Sequence, residues 1–205
     1  MATFEEQIVK SYYNLKNYFT LENIPFSAAE KRKGGKGRGE IDLIAIKIGR
    51  NNGKVEEAIH VEVSASIKSK FPFKSEKQSY DEVHKLLKKF FISDVDDKLK
   101  EFYAGNYKFQ FITSIFNDDI ENRLKDRLKH WGADVQSIKR EKQKEGESLL
   151  VNLRYNGKLK EIKITPFTDV LKELVTLTKN RTEYFSISTV RAMQWLNKLY
   201  VSKNL

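Results

Sequence analysis

Two carboxylates on neighbouring apolar runs are the residues of this 205-residue chain best suited by type and spacing to do chemistry. Asp42 lies within Glu40-Ile41-Asp42-Leu43-Ile44-Ala45-Ile46-Lys47-Ile48, and Glu62 within Ala58-Ile59-His60-Val61-Glu62-Val63-Ser64. A short Asn- and Gly-rich stretch, 49–54, separates the two runs. Both have the β-branched content and the flanking turn residues of strands. In the second, strict alternation places His60, Glu62 and Ser64 on one face and Ile59, Val61 and Val63 on the other. A carboxylate among such neighbours is short of water, and burying it unpaired is costly, so Asp42 and Glu62 require a nearby cation. No His or Cys cluster accompanies them, and hard oxygen donors point to Mg²⁺ or Mn²⁺. A divalent ion held by an Asp and a Glu, beside a basic loop, is what metal-assisted phosphodiester hydrolysis needs.

That basic loop is Lys31-Arg32-Lys33-Gly34-Gly35-Lys36-Gly37-Arg38-Gly39, with five positive charges and four glycines. It cannot be regular structure, and its glycines let backbone N–H groups approach a phosphate. Lys31, Arg32, Lys33, Lys36 and Arg38 are therefore candidate nucleic-acid contacts. It is not a P-loop, since no Gly-Lys-Ser/Thr follows. The whole chain carries a formal charge of +10 and a pI of about 9.5, a balance that favours a polyanionic partner such as DNA. Cys is absent, which excludes disulfides, thiol catalysis and Cys-ligated metal centres. No run approaches the ~18 apolar residues of a membrane span, and the acidic start lacks a signal peptide's apolar block. A soluble cytoplasmic protein is expected.

The elements that must position these residues follow from periodicity. Thr3 is a candidate N-cap of an amphipathic helix whose stripe is Phe4, Ile8, Tyr12, Leu15 and Phe19, with Pro25 as its stop. After the two strands, a helix is predicted from Ser75 to Phe91, a buried strand from Tyr107 to Phe116, and a helix from Asp118 to Trp131 ending at Gly132. Val135 to Ile138 is a further strand candidate. The charge-dense stretch Lys139 to Glu147 has no apolar residue and is a candidate boundary. Beyond it, Leu149 to Tyr155 and Leu159 to Ile164 flank Asn156-Gly157, a strong hairpin signal. Helices from Phe167 to Thr178 and Ser188 to Tyr200 complete the chain. The order implies an α/β fold, a mixed central sheet flanked by helices.

With these pieces in place, the sequence resembles the PD-(D/E)XK nuclease superfamily, in its Holliday-junction-resolvase and Mrr-like branches. The match rests on Phe4-Glu5 at the start of the first helix, Gly39-Glu40-Ile41-Asp42-Leu43-Ile44-Ala45 as the aspartate strand, and Val61-Glu62-Val63-Ser64 as the (D/E)XK strand. It covers roughly residues 1–115. The resemblance implies a restriction-endonuclease-like core, with Asp42, Glu62 and the Val63 carbonyl as metal ligands and Glu5 facing the same site. Glu5 lies about 60° from the centre of the apolar stripe and Glu6 nearly opposite, so Glu5 is the better candidate. The family's lysine is replaced by Ser64. Lys68 has the right parity but stands about 20 Å away along a straight strand. The duty of placing the water and balancing the growing charge must then fall on Lys68 on a bent chain, on Lys77 or Gln78 of the following helix, or on a second metal ion.

These readings divide the chain into a nuclease-like core, 1–139, and a C-terminal hairpin and helical extension, 148–205. The hairpin and helices either extend the core sheet or form a second lobe. The expected function is a metal-dependent DNA endonuclease, with Mg²⁺ or Mn²⁺ as cofactor and, by resemblance, a homodimer as assembly. The alternative is a nucleic-acid-binding protein or structural subunit that keeps the fold without cleaving.

Overall fold

The computed structural model describes residues 3–26, 39–66, 69–72, 76–143 and 146–179, with only the backbone described at 76–79, 93 and 143. Its first helix, α1 (Phe4–Leu15), begins with a capping box. Glu6 N–H donates to Thr3 Oγ1 at 3.2 Å, and Glu6 Oε2 accepts from Thr3 N–H at 2.8 Å. The helix ends earlier than expected, because Asn17 adopts a left-handed φ of 64°. Phe19 and Pro25 then belong to a strand, β1 (Phe19–Phe26), paired antiparallel with β2 (Gly39–Ile48). Pro25 is tolerated there because β1 is the sheet edge, where a missing N–H breaks no inner ladder.

The chain continues through β3 (Val55–Ser64), the short β4 (Lys70–Phe71), α2 (Glu76–Phe91), α3 (Ser93–Phe102), β5 (Lys108–Thr113) and β6 (Ile115–Phe116). It closes with α4 (Ile120–His130), β7 (Asp134–Gln143), β8 (Gly146–Tyr155), β9 (Lys158–Pro166) and α5 (Phe167–Lys179). Seven strands form one mixed sheet in the order β1-β2-β3-β5-β9-β8-β7, while β4 and β6 pair separately. Parallel pairing joins β3 to β5 and β5 to β9, and the remaining pairs of that sheet are antiparallel.

Strand alternation sorts the side chains into two layers. Leu43, Ala45, Ile59 and Val61 pack with α1 and α5 on one face. Phe111, Ile162 and Ile164 pack with α2 and α4 on the other. Val95 and Leu99 of α3 cover Ile24 and Ile44 near the β1 edge. Helix α3 gives little sequence signal, because among its residues with described side chains only those two are deeply buried.

One expectation for the C-terminal half changes, and one open alternative is resolved. The charged stretch from Lys139 is not a connector, since residues up to 143 continue β7 in antiparallel register with β8. Its charges are tolerated because β7 is the other sheet edge, where polar side chains face water and discourage further pairing. The β8–β9 hairpin extends the core sheet, with Phe109↔Ile162 and Phe111↔Ile164 in register. Its turn is as the sequence suggests: Asn156 and Gly157 both have positive φ, 49° and 75°. The helix expected over 188–200 lies outside the described residues. No described helix is long and apolar enough to cross a membrane.

Candidate active site

The β2–β3 hairpin brings the two carboxylates together. Its register pairs Leu43 with Val61 and Ile44 with His60, which sets Asp42 opposite Glu62 at the open end of the pair. Beyond Leu43 the side chain takes over from the backbone, and Asp42 Oδ2 accepts the Val63 N–H at 2.8 Å. Asp42 is 9% exposed and Glu62 1%. Both face the layer that contains α2.

The cation that burial demands is Lys89, in the last turn of α2. Its ammonium donates to Asp42 Oδ1 at 2.8 Å and to the Glu40 carbonyl at 2.6 Å, and lies 2.6 Å from Glu62 Oε2. Burial opposes the charge on Lys89, but Glu62 and Asp42 outweigh it and raise its pKa to about 12. Burial, with the Asp42 charge added, pushes Glu62 well above the ordinary carboxylate range, while Lys89 pulls it back. Glu62 is thus a group short of positive charge even with an ammonium against it. On its other oxygen, Oε1 lies 2.6 Å from Nε2 of His60, which is completely buried. Burial holds His60 well below its usual pKa, helped by Lys160 and Lys89, so its ring is neutral.

These groups open into a cleft of about 840 Å³. Glu5, Glu6, Val63 and Ser64 line it near the carboxylates, Lys85 and Lys88 line it from α2, and Tyr155, Asn156 and Lys158 from the β8–β9 turn. Glu6 does not point away, as the helical wheel implied. It shares the cleft with Glu5, and its pKa is raised by burial and by Asp42 and Glu40 against its bonds to Thr3. The capping box explains the difference, because it turns the Glu6 side chain back toward the helix start.

A cavity of about 890 Å³ lies elsewhere, beside Tyr12, Tyr13 and Tyr18. Its polar groups are spent on one another: Tyr12 donates to Glu173, Tyr13 to Gln110, and Tyr18 to Glu57. The carboxylates that converge from adjacent strands, Asp42 and Glu62, line the first cleft.

The other expected site residues are distributed unevenly. Ser64 ends β3, and its carbonyl accepts the Thr113 hydroxyl at 3.2 Å. Lys77 and Gln78 are in the first turn of α2, roughly 16–18 Å along the helix axis from Lys89. The helix meets the carboxylates with its last turn rather than its first. Lys68 and the segment Lys31, Arg32, Lys33, Lys36 and Arg38 lie outside the described residues. The anchors of that basic segment, Phe26 and Gly39, are paired to each other and line the cleft. Lys89 is the residue that sequence reasoning missed. Its only signal was its place beside the buried Leu86 and Phe90 on an amphipathic helix already rich in lysine.

Among the described residues no group of three or more His, Cys, Asp and Glu side chains is arranged to hold a metal ion. No protein-family model, curated protein or solved structure gives a significant match to the chain.

Proposed function

We propose that this cleft is the active site of a metal-assisted nuclease with a restriction-endonuclease-like core, acting on DNA. The observation that carries the reading is the convergence of Asp42 and Glu62, from adjacent strands, on a single cation at the floor of the cleft. Lysines on its wall add support: Lys85, Lys88 and Lys158 line the cleft, as do Phe26 and Gly39, the described residues that flank the stretch holding the five positive charges. A phosphodiester backbone is the polyanion such a cleft suits.

The donor set fits Mg²⁺ or Mn²⁺, because a hard ion of this kind takes one or two carboxylates and fills its remaining positions with water and phosphate oxygens. Asp42 and Glu62 would hold it, with the Val63 carbonyl as the further ligand that the family resemblance implies. Such an ion polarises the phosphate and lowers the pKa of bound water. The chain's own residues do the rest. Asp42 is fixed by the Val63 N–H, so its second oxygen faces the cleft in one orientation. Lys89 supplies the positive group that Ser64 lacks, close enough to balance negative charge growing on a phosphate oxygen. Ser64, at the strand end, contributes a hydroxyl without charge.

One observation favours a second reading. Lys89 already gives each carboxylate an ion-pair partner without any metal. A DNA-binding protein that does not cleave would need nothing more. Incubating the protein with branched, linear and single-stranded DNA, with and without Mg²⁺ or Mn²⁺, decides between them. Metal-dependent cleavage that disappears in Asp42→Asn and Glu62→Gln supports the nuclease. Binding without cleavage of any form supports the second reading.

A further inference from the structure

Glu62 has a polar neighbour besides Lys89 that the cleavage chemistry does not itself require. His60 sits two residues earlier on the same face of β3, with no exposed surface, and its Nε2 is 2.6 Å from Glu62 Oε1. Phe90 and Phe109 pack against the ring, with centroids 4.9 and 6.0 Å away. Nδ1 has no hydrogen-bond partner among the described residues.

A neutral imidazole has one N–H and one lone pair, so two arrangements compete. If Nδ1 carried the proton, that N–H would be a buried donor without an acceptor, and Nε2 could only accept from a protonated Glu62. If Nε2 carries it, the atom left alone is a lone pair, which proteins tolerate better than an orphaned N–H. Glu62 Oε1 then receives a charge-assisted bond. Lys89, 2.6 Å from Oε2, weighs the same way, because an ammonium favours the ionised carboxylate.

We propose that His60 is a positioning residue, whose Nε2–H pins Glu62 Oε1 so that Oε2 is presented at the cation position in the cleft. This rests on reading Asp42 and Glu62 as a metal site. The aromatic rings hold the imidazole in place, and the short bond fixes the rotamer of the carboxylate. Partners of this kind, one bond behind a ligand, typically govern metal affinity by about 10–100-fold.

The test is Mn²⁺ titration followed by electron paramagnetic resonance on the full chain. Thermal unfolding, and DNA affinity without metal, are measured alongside. The wild type is expected to bind Mn²⁺ and Glu62→Gln to bind it far more weakly. His60→Leu should weaken Mn²⁺ binding by about 10–100-fold and leave metal-free DNA affinity unchanged. The Gln and Asn variants keep the test decisive should the Leu variant fail to fold. In His60→Gln the amide nitrogen reaches as far from the backbone as Nε2 and should restore most of the affinity. In His60→Asn it reaches only the Nδ1 position and should not. Equal Mn²⁺ affinity in the wild type, His60→Leu and His60→Asn, with Glu62→Gln still impaired, overturns the role of His60 and leaves the metal site standing. Equal impairment of the Gln and Asn variants overturns it too. Wild-type Mn²⁺ binding no tighter than that of Glu62→Gln overturns the metal site and the inference together.

Discussion

Asp42 Oδ2 accepts the Val63 backbone N–H at 2.8 Å, just past the point where the β2–β3 ladder stops at Leu43 and Val61. A side chain here replaces a strand partner, so one carboxylate both ends the pairing and belongs to the site. The two duties separate by mutation. Asp42→Asn keeps an oxygen for the Val63 N–H and should unfold within about 1 kcal/mol of the wild type. Asp42→Ala leaves that N–H without its acceptor and should cost about 1–3 kcal/mol. Urea denaturation of both variants checks this, and equal stability would show that the bond contributes nothing.

Glu62 makes the fold sensitive to pH in a defined direction. Burial, then the Asp42 charge, raise its folded-state pKa well above 4.5 against the pull of Lys89. Between pH 4.5 and that folded-state value, the folded protein keeps a proton that the unfolded chain has released. The associated stability is fully present below about pH 4.5 and is lost as pH rises through the folded-state value. His60 acts oppositely, since burial lowers its pKa below 6.5, but it is present in both proteins compared and largely cancels. In metal-free buffer, the stability of Glu62→Gln relative to the wild type should grow as pH is raised from 4.5 and then level off. Denaturation curves over a pH series measure it, and parallel curves would contradict it.

The pair of carboxylates was legible because strand alternation and a short turn are local signals that also fix which faces meet. Lys89 was not, because its arrival depends on how α2 crosses the sheet, which no local pattern encodes. Edge strands misled for a related reason. Phe19 and Pro25 in β1, and the charges from Lys139 in β7, are permitted by edge positions, with no outer neighbour strand among the described residues, rather than by their own propensities. The same non-local pairing puts strands from both sides of the expected boundary into one sheet. Because β9 pairs with β5, a chain ending at residue 143 would expose the inner edge of β5 and the apolar faces of Phe111 and Leu124. Such a fragment should show no cooperative unfolding transition by circular dichroism. A cooperative transition would instead support a boundary there.

The basic segment admits a test that needs no knowledge of its path. Replacing Lys31, Arg32, Lys33, Lys36 and Arg38 with Gln should weaken binding to all DNA sequences alike. The slope of log affinity against log salt should fall by up to about 0.9 for each phosphate that is no longer neutralised. Fluorescence anisotropy at several salt concentrations reads both quantities. An unchanged slope would remove the segment from the interface.

Lys89→Met separates counter-ion from catalyst. Removing the ammonium leaves Asp42 and Glu62 facing each other with no positive charge, and breaking a buried pair in this way costs about 3–5 kcal/mol, less where Glu62 takes up a proton. Mg²⁺ binding between the same carboxylates would supply the charge again and return most of that stability. If Lys89 only neutralises the site, Mg²⁺ should restore cleavage along with stability. If it acts on the phosphate in place of the lysine that Ser64 displaces, Mg²⁺ should restore stability while cleavage stays down by about 10²–10³-fold. The second outcome is expected, because Lys89 lines the cleft itself, beside Lys85 and Lys88. Thermal unfolding and single-turnover cleavage, each at saturating Mg²⁺, give the two numbers that decide it.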